Sequence, residues 1–336
     1  MRTNTIVALM ICAFSVHGQD RYTEVKKNTM EGTKVGMRDN KLQIDVLAPI
    51  YDKILPMADG KFTIIKDGKL GYADTSGKVI ISPRFKDGTT FSDGRAFILS
   101  ENNKWGMINE SGVLISLPKY DDVIGLSEGV GRVVINQKIG FVGIDGKEII
   151  PCRYGEAYDC FEGLILAFSS FKDVWGDVKQ EGHKIGEFGA TSKVPIVFDH
   201  TGKVVYKGEP NENVKFTPTG RIVVTRTKTL PGMRAVDQSQ MIDKAGKILI
   251  PFENNMYLDI RDVAIKVIVT DGITGQGIMD YNGTIILKPN FQEIDWFTEY
   301  DGDVVLAKAY FKNSGQFVYV NDSGKCVEFR GIRCPD

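Results

Sequence analysis

The sequence predicts an all-β protein built from about eight four-stranded repeats, with a β-propeller favoured over a β-solenoid. Three observations predict this class. Glycine is abundant, with 36 residues in a chain of 336, and it follows no collagen-like period. Short apolar segments of strand length alternate with polar turns. The same order of motifs returns along almost the whole chain at a spacing of about 35 residues.

The first eighteen residues, MRTNTIVALMICAFSVHG, have the features of a signal peptide. Arg2 supplies the positive charge, and residues 6–16 form an apolar run that is too short to span a bilayer. Val16 and Gly18 are small enough to flank a cleavage site. We expect residues 1–18 to be removed and residues 19–336 to form a single exported repeat domain, which is periplasmic, surface-located or secreted. The alternative is a buried N-terminal strand or helix.

Each repeat contains a glycine within a short strand, and four of these glycines are evenly spaced: Gly36, Gly71, Gly106 and Gly140. A strand, a polar turn, a proline before an aromatic residue and an acidic glycine turn then follow in order. The proline–aromatic pairs are Pro49 and Tyr51, Pro83 and Phe85, Pro118 and Tyr120, and Pro151 and Tyr154. The acidic turns are Asp59-Gly60, Asp93-Gly94, Glu128-Gly129 and Glu162-Gly163. This order predicts four antiparallel strands per repeat.

Two residue types in the repeat have structural interpretations. Proline cannot donate to a β-ladder, so it indicates a strand end or a bulge. The strand glycine is expected to let a neighbouring side chain lie against bare backbone.

The second half of the chain keeps the plan with longer loops. Its polar turns have glycines at Gly202, Gly246, Gly283 and Gly324. The eight predicted repeats lie near residues 21–55, 56–90, 91–125, 126–160, 161–212, 213–256, 257–297 and 298–336.

These motifs resemble the WG repeat family of bacterial proteins, which is named for a Trp-Gly pair. Here Trp105-Gly106 is the one pair in tight register. Other residues stand at the tryptophan position, and three later repeats lose the glycine; the replacements are Val35, Leu70, Ile139, and Ile196, Gln240 and Phe317. The resemblance implies an exported or surface-associated protein. It carries no catalytic residues over, because the family motif is structural.

Two ways of stacking the repeats compete. The segments at residues 91–96 and 216–224 are similar to the turn and strand that open propeller blades. Ring closure also protects the edges of the sheets, which an open solenoid leaves exposed.

Four cysteines remain after removal of the leader: Cys152, Cys160, Cys326 and Cys334. Four cysteines allow three pairings. In an oxidising compartment the local pairs Cys152–Cys160 and Cys326–Cys334 are favoured, since each can close a turn between neighbouring strands. The alternative is that all four are buried thiols.

The clearest break in the repeat is the insertion SSFKDVWGDVKQEGHKIGEFGATSK at residues 169–193. It contains aromatic residues and a histidine that are candidates for stacking on a sugar or a peptide: Phe171, Trp175, His183 and Phe188. The alternative is a degenerate repeat pair at Trp175 within an insertion of no function. A second insertion, residues 225–240, is basic at first and is interpreted as a solvated loop.

Catalysis has little support in the sequence. The mature chain has two histidines, no zinc-binding spacing and no phosphate-binding loop. We therefore predict no catalytic residues, no metal and no cofactor. The whole chain has a net charge of −1 and no basic stripe, so nucleic acid is not expected as a partner. No stable membrane insertion is expected after cleavage of the leader.

The sequence favours an exported, non-catalytic binding module whose ligand is a protein, peptide or glycan at the cell envelope or outside the cell. One alternative is a structural or assembly component that uses the repeat surface. A further alternative is a propeller-type glycoside hydrolase with two carboxylates from separate blades.

Overall fold

The structure is a computed structural model, and it describes residues 21–30, 32–171, 176–180, 183–188, 192–229, 235–252, 256–260, 265–269, 275–295, 299–301 and 304–334. The predicted leader lies outside the described residues. The part of the chain that the structure describes contains β-strands and no α-helix. Among these residues there is accordingly no helix with the length and apolar character needed to cross a membrane.

The chain divides into two compact units, Met1–Cys152 and Arg153–Asp336. The first holds four antiparallel sheets, numbered here in chain order. Sheet 1 consists of β1 (Tyr22–Thr29), β2 (Gly32–Asp39) and β3 (Ile44–Tyr51). Sheet 2 consists of β4 (Lys53–Ile54), β5 (Lys61–Lys66), β6 (Lys69–Asp74) and β7 (Val79–Phe85). Sheet 3 consists of β8 (Asp87–Gly88), β9 (Arg95–Leu99), β10 (Trp105–Asn109) and β11 (Leu114–Tyr120). Sheet 4 consists of β12 (Asp122–Ser127), β13 (Val130–Ile135), β14 (Lys138–Gly143) and β15 (Glu148–Tyr154).

The second compact unit holds four more sheets and a separate hairpin. Sheet 5 consists of β16 (Glu156–Ala157), β17 (Leu164–Phe171), β20 (Ser192–Asp199) and β21 (Val204–Lys207), and the hairpin consists of β18 (Gly176–Gln180) and β19 (His183–Phe188). Sheet 6 consists of β22 (Asn213–Phe216), β23 (Ile222–Thr229), β24 (Ala235–Ile242) and β25 (Ile248–Ile250). Sheet 7 consists of β26 (Met256–Ile260), β27 (Ile265–Val269), β28 (Gln276–Met279) and β29 (Ile285–Phe291). Sheet 8 consists of β30 (Glu293–Ile294), β31 (Glu299–Asp301), β32 (Val304–Tyr310), β33 (Phe317–Asn321) and β34 (Cys326–Val327).

One strand order recurs in these sheets. Sheet 2 shows it as β4-β5-β6-β7, with each strand antiparallel to the next. The first strand is short, the second precedes the repeat glycine, the third contains it, and the fourth follows the polar turn. Sheet 1 has the counterparts of the last three strands. The prediction of an all-β protein with eight such repeats is confirmed, and the four-stranded antiparallel sheet has the form of a propeller blade.

Neighbouring sheets share apolar cores, which explains why their central strands are apolar on both faces. Phe97 and Met107 of sheet 3 pack with Val133 and Val142 of sheet 4, and all four are buried. In the second compact unit, Val223 and Met241 of sheet 6 pack with Leu258 and Ile265 of sheet 7. A single sheet cannot bury both faces alone, so the repeats stabilise one another.

The repeat glycine and the proline belong to one device. In sheet 2, Leu70 pairs with Phe85 and Tyr72 pairs with Ile81, so the fourth strand bulges opposite Gly71. A Cβ on Gly71 would lie 2.5 Å from the carbonyl oxygen of Ile81. The predicted bulge at the proline is confirmed. The expectation that a side chain covers the glycine is wrong, because backbone of the bulge occupies that space.

The cysteine predictions divide into one that is confirmed and one that is wrong. Cys326 and Cys334 form a disulfide with a Cα–Cα distance of 5.8 Å. Cys152 and Cys160 are both thiols. Cys152 lies on β15 with its Sγ 3.8 Å from the carbonyl oxygen of Val133, inside sheet 4. Cys160 is buried between β16 and β17 of sheet 5. The two cysteines therefore belong to different sheets and do not close one turn.

Candidate functional site

Each sheet has two distinct ends. At the turn end, the first strand turns into the second and the third turns into the fourth. At the connection end, the second strand continues into the third. The two ends differ in sequence, in hydrogen bonding and in length.

The turn end is built from tight, repeated turns. In Asp93-Gly94 both residues have positive φ, 52° and 69°, which defines the type I′ hairpin turn. The turn is also tied to its neighbours along the chain. Asp59 accepts a hydrogen bond from the N–H of Gly94 (2.8 Å), and Asp93 accepts one from the N–H of Gly129 (3.0 Å). The acidic residues predicted from the repeat therefore have a structural role in joining adjacent sheets.

The second turn at this end is an Asx turn. The Asp74 carboxylate accepts hydrogen bonds from the N–H groups of Ser76 and Lys78, at 2.9 and 3.0 Å. The Ser76 hydroxyl and these N–H groups hold the pKa of Asp74 below its usual value. The same turn recurs at Asn109, Asp199, Asp243, Asp280 and Asn321. The turn's own N–H groups and hydroxyl thus bind the Asp74 carboxylate, which gives this residue a structural role.

The connection end differs between the two compact units. In the first compact unit it is short: residues 30–31, 67–68 and 136–137 join their strands directly, and Ser100–Lys104 closes the remaining turn. In the second compact unit each connection has five residues or more, whereas three of the four in the first compact unit have two. They comprise residues 172–191, 230–234, 270–275 and 311–316.

The longest connection carries the predicted aromatic site. Its flanking strands pair up to Phe171 and Ser192, and the β18–β19 hairpin follows within it. In that hairpin His183 pairs with Gln180 and Phe188 pairs with Gly176. Trp175 lies outside the described residues. The insertion thus contains regular β-structure, whereas the sequence indicated an irregular loop.

The second insertion was interpreted wrongly as a solvated loop. Residues 225–229 and 235–240 are strand, and Arg226 pairs with Gln238 in the ladder of sheet 6. Gln238 is 1% exposed and Gln240 is 8% exposed. The structure therefore places a buried polar cluster at the connection end of sheet 6, which the sequence prediction missed.

The cluster arises where sheet 6 departs from the repeat. Gln240 stands at the repeat-glycine position, three residues before the Asx turn at Asp243. A side chain here is incompatible with the proline bulge, and within the described residues β25 ends at Ile250, before the place of that bulge, although the ladder keeps the register shift between Met241 and Ile242. Phe252 is buried and its ring lies under Arg226, 3.8 Å from the guanidinium carbon. The run Gln238-Ser239-Gln240 within a strand is the signal that could have revealed the cluster.

Two donors and one acceptor complete the cluster. The Tyr206 hydroxyl donates to Glu212, which also accepts from the N–H of Glu209 at 2.9 Å. Burial and the neighbouring Glu212 carboxylate raise the pKa of Tyr206 well above its usual range. Within the described residues, Arg226 has no hydrogen bond and no ion pair, and its Nε is buried.

A second polar group lies at the connection end of sheet 5. Glu156 is bonded by the Lys193 ammonium and by the Tyr158 hydroxyl. These contacts, Lys193 first, hold the pKa of Glu156 below its usual value, and Glu156 raises the pKa of Lys193. This group is charge-balanced. No set of three metal-ligating side chains occurs among the residues that the structure describes.

Comparison with known proteins identifies the repeat. A family model described as "WG containing repeat" matches residues 71–105, 105–138, 139–168 and 277–306. Three of these matches lie in tandem. They cover the glycine and bulge of sheets 2 to 4, and the fourth covers the same device in sheet 7. No curated protein sequence matches the chain.

Solved structures with some likeness are low in identity. BamB from Moraxella catarrhalis is 10% identical, with 90% of this chain and 96% of that one covered and a TM-score of 0.32. The computationally designed Ika8 protein is 9% identical, with 88% and 92% covered and a TM-score of 0.30. The WD40 β-propeller domain of Doa1 is 13% identical, with 87% of each chain covered and a TM-score of 0.25. Scores at this level carry no argument about function.

Proposed function

This chain is a protein of WG-containing repeats, and from that premise we propose that it is an exported, non-catalytic binding module of the cell envelope or exterior. Its ligand is a protein, peptide or glycan. The contact surface is the connection end of the second compact unit. The apolar run at residues 6–16 supports export.

One observation carries the proposal, namely the difference between the two ends of the sheets in the second compact unit. The Asx turns at the turn end keep the repeat geometry in sheets 5 to 8. The connections at the other end all have five residues or more, against two at three of the four connections of the first compact unit, and the one in sheet 5 has twenty. A stable scaffold requires regular turns, but it does not require long connections. Lengthened connections on a rigid scaffold are where binding residues usually lie.

The residues of the longest connection suit recognition by stacking. Phe171, Trp175 and Phe188 have rings that can pack on a sugar face or a peptide side chain, and His183 adds a donor or acceptor. The ladder that ends at Phe171 and Ser192 supports this segment on the core of sheet 5. That support reduces the entropy lost on binding.

The test is capture of partners from envelope extracts by residues 19–336. In one variant residues 172–191 are replaced by Asn-Gly, the dipeptide of a type I′ turn, which joins Phe171 to Ser192. In a matched control, residues 100–104 of the first compact unit are replaced by Asn-Gly, which joins Leu99 to Trp105. We expect a partner that is held by the unmodified chain and by the control and is lost by the first variant. Equal capture by all three forms would overturn the assignment to this segment.

A structural or assembly role is the second candidate, and one observation favours it. Apolar residues are exposed at the same place in several fourth strands, directly after the Asx turn: Val79, Leu114, Val204, Ile248 and Ile285. A row of exposed apolar residues on outer strands is a surface for association. Under this alternative, charged substitutions at Val204 and Ile248 abolish partner capture, whereas replacement of residues 172–191 does not.

A further inference from the structure

Among the residues that the structure describes, Arg226 is a cation without a counter-ion, in a partly buried site. Its guanidinium stacks on Phe252, and its Nε is shielded from solvent without a hydrogen-bond partner. Arg21 behaves differently, because it donates two hydrogen bonds to the buried carboxylate of Asp39, at 2.8 and 3.0 Å. Removing a guanidinium from water without compensation is costly, so a cation kept in this state is preorganised for an anion.

The Glu212 carboxylate does not satisfy Arg226. Glu212 is 7% exposed and is held in place by the Tyr206 hydroxyl and the N–H of Glu209. It makes no ion pair with Arg226. Its fixed position leaves the guanidinium available, and its negative charge disfavours the approach of a dianion.

The open edge of the guanidinium is defined by its neighbours. Phe252 covers one face and the Nε is buried, so the two terminal nitrogens form the edge that a ligand can reach. Gln240 lies on the same face of the ladder, two residues along the strand from Gln238, the partner of Arg226. A planar monoanion with two oxygens matches that edge, because a guanidinium binds a carboxylate through two parallel hydrogen bonds.

We propose that the connection end of sheet 6 binds a carboxylate group, held in two hydrogen bonds by the terminal nitrogens of Arg226 and flanked by Gln240. This assignment rests on the proposed binding function and gives it a ligand chemistry. Two sources supply such a group: the C-terminus of a peptide and a uronic acid of a glycan.

The experiment is calorimetric titration of residues 19–336 with matched probes. The peptide pair is N-acetyl-Ala-Ala with a free carboxylate and the same dipeptide as its amide. The sugar pair is galacturonate and galactose. We expect one acid to bind at least about tenfold more tightly than its neutral counterpart, as two charge-assisted hydrogen bonds imply. The acid that binds identifies the source. Binding by neither acid, or equal binding of acid and neutral probe, would overturn the proposal.

Variants locate the contact. Arg226→Gln is expected to weaken the acid probe at least about tenfold, and Arg226→Lys is expected to weaken it too, because an ammonium lacks the planar fork. Arg221→Gln is the matched control: Arg221 directly precedes the same strand at its turn end, and its Nε is likewise buried without a partner. Loss of binding in Arg221→Gln equal to that in Arg226→Gln contradicts the site. Inorganic phosphate binding as tightly as the acid contradicts the chemistry.

The two proposals fail separately. Titration that shows no carboxylate site, alongside partner capture that depends on residues 172–191, removes this inference and leaves the proposed function standing. If partner capture is unchanged when residues 172–191 are replaced, these residues are not the contact segment. The Arg226 titration then tests the carboxylate site of sheet 6 independently. Thermal unfolding of each variant confirms that the fold is intact.

Discussion

The two compact units are built from the same repeat, but they use its connection end differently. In the first compact unit the connections are tight turns such as residues 67–68. In the second compact unit they extend to residues 172–191 and 230–234. The Asx turns of the turn end are alike in both. The comparison shows that a repeat can keep one end for stability while the other end diverges, since the shared cores and Asx turns do not depend on the connections.

The polar content of the central strands separates the units further. Sheet 2 places Gly71 against a backbone bulge, whereas sheet 6 has Gln240 at that position and, among the described residues, no bulge opposite it. The loss of one glycine thus accompanies a changed fourth strand, a stacked arginine and a buried polar cluster. In this protein, departures from the repeat mark the functional candidates more sharply than any motif does.

The largest expected effect comes from breaking the glycine device of the first compact unit. Gly71→Ala places a Cβ 2.5 Å from the Ile81 carbonyl oxygen and 2.6 Å from the nitrogen of Pro83, so backbone must move. We expect a loss of about 3 kcal/mol in the free energy of unfolding, measured by urea denaturation. Gln240→Gly in sheet 6 is the contrasting change, with an expected loss below about 1 kcal/mol. Similar losses would remove the difference between the two sheets.

The next effect concerns the cysteines. Reduction of Cys326–Cys334, or its replacement by serines, releases a short loop in sheet 8 and is expected to cost about 2.5 kcal/mol. Cys152→Ser leaves that cross-link intact and should not make stability sensitive to reductant. Alkylation in denaturant without reductant should label Cys152 and Cys160 and leave the other two unlabelled. Labelling of all four would contradict the pairing.

Charge pairing gives a smaller effect of opposite sign in the two units. Arg226→Met removes a partly buried cation that lacks a counter-ion and keeps contact with Phe252, so we expect stability to rise by about 1 kcal/mol. Arg21→Met removes the counter-ion of Asp39. Because the Asp39 side chain is 1% exposed, its charge is then buried without a counter-ion, and stability should fall. Thermal denaturation of the two variants side by side measures both signs. A fall in both would show that Arg226 has a stabilising partner.

The smallest effect is the pH dependence of the Asx turn. The pKa of Asp74 is lower in the folded protein than its usual 3.8. Its contribution is therefore present above the unfolded pKa and is lost as the pH falls through the folded pKa. Asn stands at this place in the turns at Asn109 and Asn321, so Asp74→Asn should keep the turn. As the pH falls below about 4, we expect the unfolding midpoint of Asp74→Asn to decrease less than that of the unmodified protein. The measurement is the unfolding midpoint of both proteins against pH. Parallel curves would show that Asp74 is not a contributor.

Much of the fold could be predicted because the same motif recurs along the chain, so a strand that is weakly indicated in one repeat is supported by its counterparts in the others. The spacing of Gly36, Gly71 and Gly106 sets the strand pattern, and the proline sets the bulge. What could not be predicted depends on non-local packing. Gly71 lies against the backbone of Ile81 in the next strand. Cys152 is a thiol because it packs inside sheet 4, against Val133, and away from Cys160.

The candidate site was harder to predict for a related reason. Residues 225–240 look like a basic loop because their charges alternate with small polar residues. Only the ladder shows that Arg226 pairs with Gln238, whose side chain is buried. Phe252, which carries the stacking contact, is separated from Arg226 by the two strands β24 and β25, so no local pattern joins them.

The central claim is that binding belongs to the connection end of the second compact unit and not to the turn end. The most direct test is the amount of partner captured from envelope extracts by two variants of residues 19–336. One replaces residues 172–191 with Asn-Gly, and the other carries Thr201→Lys and Ala245→Lys at exposed positions of the turn end. The account predicts loss of capture in the first and full capture in the second. Full capture in the first with loss in the second would contradict it.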